Sequence, residues 1–123
     1  MTTSARAIAA KEMAERDRPL SEQYRIVARQ WVDAESAAQL LEDTKSSVLA
    51  QKMLALGDMA VNKAEMQIKA SDDWMAHIKV IVEARKEANL KKVHLEYLRM
   101  LEREAERKSW AARSEMKMGR STP

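Results

Sequence analysis

Residues 74–101 read WMAHIKVIVEARKEANLKKVHLEYLRML, and the order of apolar residues within them decides the fold class. Trp74, Ile78, Ile81, Ala84, Ala88, Leu95 and Leu98 recur at steps of three, four or seven. Those steps bring side chains onto one side of an α-helix, whereas a half-buried strand alternates every second residue. Val82, Tyr97 and Met100 widen the stripe, and Ala105 and Ala112 extend it. The spacing predicts a helix from about Trp74 to about Met116, ahead of Gly119 and a polar end.

The same rhythm appears nearer the N-terminus. Tyr24, Val27, Trp31, Ala34, Ala38, Leu41, Val48, Ala55 and Leu56 form a heptad-like seam, with Lys45 and Lys52 in two of its positions. Ser21, just after Pro19, is the expected N-cap of this helix. A helix from Ser21 to Leu56 would be about 50 Å long. Gly57-Asp58 is a stop signal followed by a residue able to cap what comes next. Met59–Ala70 then reads as a shorter helical segment with Ala60, Ala64, Met66 and Ile68 as its apolar content. The Ser71-Asp72-Asp73 cluster suits a new helix start, because its negative charge complements the helix dipole. It fits equally inside one continuous helix, so residues 57–74 stand as one helix or two.

Composition agrees with this periodicity. The 123 residues include only two Gly and two Pro, against 33% charged residues and nine Met. A β-rich chain of this length needs many turns, and turns draw on Gly, Pro and Asn. The expected architecture is all-α: a long antiparallel helical hairpin with a shorter third helix and coiled-coil-like seams. Residues 1–20 are expected to be a flexible or partly helical arm, residues 21–116 the helical hairpin or bundle, and residues 117–123 a disordered tail. The seams are rich in Ala and thin in bulky side chains. One such seam buries little area against the entropy of ordering long helices, so a homo-oligomer is expected.

Several chemistries find little footing. The absence of Cys excludes disulfides and thiolate ligands. Asp73 and His77, one turn apart, offer two metal ligands, short of a site. Glu83/Glu87 and Glu102/Glu106 lack the Glu-x-x-His partners of a helical di-iron centre. No Ser stands in a Gly-x-Ser-x-Gly turn, and two glycines cannot build a phosphate-cradling loop. We therefore expect no enzyme, cofactor, bound metal or small-molecule substrate. No apolar run is long enough for a signal-peptide core or a membrane span, which leads to the expectation of a cytoplasmic protein.

Charge is unevenly placed. Residues 33–73 carry 4 basic and 8 acidic groups, whereas residues 85–123 carry 11 and 6. Within the basic end, Arg99, Arg103 and Arg107 stack one per turn. Lys92 begins the line, and Lys108, Arg113, Lys117 and Arg120 continue it. Such a line can follow a phosphate backbone without reading bases. Interleaved Glu96, Glu102, Glu104, Glu106 and Glu115 give the competing reading, a solvated, salt-bridged face. Trp110 lies among these basic residues and off the main stripe, which favours an exposed contact to a base or a partner helix. Trp31 and Trp74 lie on the seams and are expected to pack.

Three blocks of residues carry a resemblance. The first is Trp31-x-x-Ala34 with Ala37-Ala38 and Leu41-Glu42-x-x-Lys45. The second is Ala64-Glu65 with Ala70-Ser71 and Trp74. The third is Ala84-Arg85-x-x-Ala88-Asn89, then Glu104 and Trp110-x-Ala112-Arg113-x-Glu115. Over residues 30–115 the chain resembles a group of small helical proteins encoded by tailed phages and prophages, typically near recombination and replication genes. The resemblance implies phage DNA metabolism in the bacterial cytoplasm as the setting, and supplies no catalytic residues. Candidate contacts to nucleic acid or to a recombination or replication protein are Lys92, Arg99, Arg103, Arg107, Trp110 and Arg113. The alternative is an adaptor or inhibitor that binds a host or phage protein and touches no nucleic acid.

Overall fold

The computed structural model describes residues 2–16 and 18–121. Four helices follow one another: α1 (Thr2–Arg16), α2 (Leu20–Ala55), α3 (Val61–Lys69) and α4 (Asp72–Ser121), with no strand among the described residues. The long helices α2 and α4 pack against each other as an all-α helical hairpin. Two compact units divide the chain, one formed by Gln30–Lys91 and the other by Met1–Arg29 with Lys92–Pro123.

In the Gln30–Lys91 unit the chain turns twice. Gly57 adopts φ +78°, the left-handed conformation that suits glycine after a helix end. The Leu56 and Gly57 N–H groups donate back to the Met53 and Leu54 carbonyls, both at 3.2 Å. The second turn, at Ala70-Ser71, settles the open question about residues 57–74: α3 and α4 are separate. The Ser71 hydroxyl donates to the Ile68 carbonyl at 2.6 Å and its oxygen accepts the Trp74 N–H at 3.2 Å. Asp72 and Asp73 occupy the first turn of α4, where their charge faces the positive end of the helix dipole.

The core of this unit is formed by Ala38, Ala64, Ile68, Trp74, Ile81 and Ala88, all buried. Trp31, Leu41, Val48 and Ile78 are half-buried around it. Ala38 and Ala88 have no exposed surface at all, because small seam residues let helix backbones approach closely. Arg85 on α4 reaches Glu35 and Glu42 on α2, while Lys91, further along α4, reaches Gln30, earlier on α2. That order fixes the antiparallel sense.

In the other unit, the start of α2 meets the second half of α4. Val27, Leu95 and Leu98 are buried, and Tyr24 is half-buried beside them. Of the seam positions read from the sequence, Tyr24, Trp31, Leu41, Val48, Trp74, Ile78, Ile81, Leu95 and Leu98 are each buried or half-buried, whereas Ala55, Ala105 and Ala112 are exposed.

Two boundaries differ from expectation, and the N-terminal arm takes its helical alternative. α2 begins at Leu20, so Ser21 lies inside the first turn and is not the N-cap. The Pro19 carbonyl takes the Glu22 and Gln23 N–H groups instead, both at 3.0 Å. Residues 2–16, read as a flexible or partly helical arm, form α1, and its side chains from Ser4 to Met13 are exposed. α4 runs to Ser121, past the end expected near Met116 and into the segment read as a disordered tail, because Gly119 alone does not break a run of strong helix formers. Residues 122–123 lie outside the described residues.

Candidate nucleic-acid interface

The stretch of α4 from Glu102 to Gly119 is composed largely of Glu, Arg, Lys, Ala and Met, which favour helix without needing a core. It is exposed throughout except at Ser114, which is half-buried. With an α-helix turning about 100° per residue, its charges sort by face. Arg99, Arg103, Arg107, Trp110, Arg113 and Lys117 fall within an arc of about 120°. Glu104 and Glu115 fall on the far side, where Glu104 pairs with Lys108 at 3.9 Å. Glu102 lies just outside the arc, and Glu106 is the acidic residue of this stretch within it. Of the acidic residues that interleave in the sequence, Glu104 and Glu115 lie off the basic line, whereas Glu96 and Glu106 lie within its arc and Glu102 at its edge.

The candidate residues differ in how far they are already engaged. Arg99 is engaged: its Nε and Nη2 donate to the Tyr24 hydroxyl at 3.0 and 2.8 Å, and its guanidinium lies 5.6 Å from the Tyr24 ring centroid. It serves the helix–helix contact first. Lys92, Arg103, Arg107 and Arg113 are exposed and make no hydrogen bond or ion pair among the described residues. Trp110 is 73% exposed, whereas Trp74 is 4% exposed. Two concavities adjoin the indole among the described residues. One of about 350 Å³ is lined by Arg103, Glu106, Arg107 and Trp110, and one of about 450 Å³ by Trp110, Arg113, Ser114, Met116 and Lys117.

Comparison of the chain with protein families, with curated proteins and with solved structures finds no match. The residues themselves therefore carry the functional argument.

The most strongly held polar group belongs to a different place and a different task. Arg85 donates from Nε and Nη2 to the two carboxylate oxygens of Glu42 at 2.7 and 2.8 Å, and from Nη1 to Glu35 at 2.8 Å. These charge-assisted bonds hold the Glu42 carboxyl below its ordinary pKa, against the opposing effect of burial, and push the Arg85 pKa up. The sequence reading missed this clamp. Its signal was present, since Glu42 and Arg85 both flank seam positions, but pairing them requires the register of the hairpin.

Other chemistry-bearing groups stay apart. His77 packs its ring against Trp74, with centroids 5.6 Å apart and planes tilted by 45°. No three His, Asp or Glu side chains converge on a common point among the described residues. A concavity of about 230 Å³ in the Gln30–Lys91 unit is lined in part by Lys52, Ser71 and Asp73, with the Ser71 hydroxyl already committed to the helix ends. No described helix is long and apolar enough to cross a membrane.

Proposed function

We propose that this chain is a non-enzymatic helical accessory protein that holds nucleic acid by its phosphate backbone, through the basic arc of α4. The observation that carries the reading is the set of exposed guanidiniums of Arg103, Arg107 and Arg113 on one side of a helix, without carboxylate partners among the described residues. Arginines that only solvate a helix surface normally find a glutamate three or four residues away. Arg103 and Arg107 have Glu106 and Glu104 three residues away, yet neither pair closes among the described residues, and Arg113 has no carboxylate at that spacing, which leaves positive charge for an external polyanion. Phosphate contacts of this kind position a strand without reading its sequence.

The resemblance to small phage proteins suggests recombination or replication of phage DNA as the setting, in the host cytoplasm. Self-association is part of the same proposal. The positions that continue the α4 seam beyond Leu98, namely Glu102, Ala105, Ser109 and Ala112, are all exposed, and a second copy would cover them.

The test is binding of labelled duplex and single-stranded DNA over a salt series. Affinity is expected to fall steeply with salt, and the double variant R103E/R107E is expected to bind neither. No binding by the wild-type chain at low salt would sink the proposal.

A second reading is a protein–protein adaptor or inhibitor. It is favoured by Val93, Tyr97 and Met100, which are 62%, 54% and 65% exposed beside the basic arc. It predicts that R103E/R107E retains function and that polar substitutions at those three positions abolish it.

A further inference from the structure

Trp110 is the tryptophan of this chain that does not pack. An indole left 73% in water, when Trp74 is 4% exposed, is an apolar surface in need of an occupant. Its neighbours define what kind. Arg107 and Arg113 lie three residues before and after it, about 4.5 Å away along the helix axis in each direction and about 60° to either side. Both are exposed and without a partner among the described residues. A nucleotide in a strand has a matching layout, with one flat base between two phosphates. In a duplex the base faces are covered by their neighbours in the stack. In a single strand they are accessible, and an aromatic ring can take one.

We propose that Trp110, with Arg107 and Arg113 flanking it, is a stacking station for an unpaired base, so that the α4 arc prefers single-stranded nucleic acid to duplex. This rests on the backbone-binding reading and adds the strand type. Arg103, one further turn back and about 10.5 Å from Trp110 along the axis, extends the phosphate track on one side. Lys117 extends the arc on the other. Stacking is tolerant of base identity, so the preference is for strand state and not for sequence.

The experiment measures fluorescence anisotropy of a labelled oligothymidylate and of a mixed-sequence duplex of equal length, with the wild-type chain and with W110A and W110F. Trp110 is exposed, so both variants should keep the wild-type circular dichroism spectrum. The wild-type chain is expected to bind the single strand more tightly. W110A should weaken single-strand binding by about 5-fold to about 150-fold, the range for loss of one base–aromatic stack, and weaken duplex binding by less. W110F should retain most of the affinity. Equal wild-type affinity for the two strands, or an unchanged single-strand affinity in W110A, overturns the stacking station while leaving backbone binding intact. Absence of binding to either strand at low salt overturns both.

Discussion

Arg85 and Glu42 face each other across the hairpin with two parallel hydrogen bonds of 2.7 and 2.8 Å. Fork-to-fork geometry of this kind is directional, so it defines where along α2 the partner helix must lie. Glu35, seven residues earlier and held at 2.8 Å by the remaining arm of the same guanidinium, closes the clamp from the other side. Seams of alanine tolerate sliding, and a polar clamp at one level opposes it.

The clamp makes stability depend on pH. The folded-state pKa of Glu42 is lowered, first by the hydrogen bonds from Arg85 and also by its positive charge. Its contribution is therefore fully present above the ordinary carboxylate range and is lost as the pH falls through the lowered value. E42Q is expected to lower the Tm at neutral pH and to make the Tm change less steeply on acidification. Thermal melts of both proteins across the acidic range check this. Equal slopes would contradict it.

Ala88 has no room to grow. It is fully buried in the α2–α4 packing, so A88L should destabilise by about 1–3 kcal/mol through overpacking. The same change at the exposed Ala112 should have little effect on the folded monomer. Urea denaturation followed at 222 nm compares the two.

Gly57 is required for its backbone conformation and not for space. A Cβ at this position meets nothing within 4 Å, so G57A should cost only the left-handed backbone penalty, about 1–2 kcal/mol. G57N should cost less, because Asn tolerates that conformation better. A larger loss in G57N than in G57A would show that the turn is held by something else.

The free part of α4 should be its least stable part. Residues 102–113 are exposed on every side, and a helix of that length without a packed face is marginal in water. Amide exchange is expected to be much faster there than over residues 81–98, by hydrogen-exchange mass spectrometry. Addition of single-stranded DNA should slow exchange in residues 102–113 selectively.

The hairpin was legible because periodicity is a local property. Trp74, Ile81, Leu95 and Leu98 announce their face within a few turns of one another, and Gly57 announces the stop. The break at Ser71 was harder, since a capping serine and a mid-helix serine look alike until the chain direction changes. The Arg85 clamp was not legible, because Glu42 and Arg85 are 43 residues apart and register is a tertiary fact. The basic residues of α4 were visible as a line, but which carboxylates share its face, Glu96 and Glu106, and which do not, Glu104 and Glu115, required placing every charge around the helix. The engagement of Arg99 by Tyr24 required the partner helix itself.

The single hydroxyl of Ser71 closes α3 and opens α4 at the same atom. The two helices consequently cannot fray independently at that corner. Unwinding the last turn of α3 frees the serine and unseats the first turn of α4, which carries Trp74 out of its cover. The shortest helix of the protein is thereby coupled to the melting of its longest.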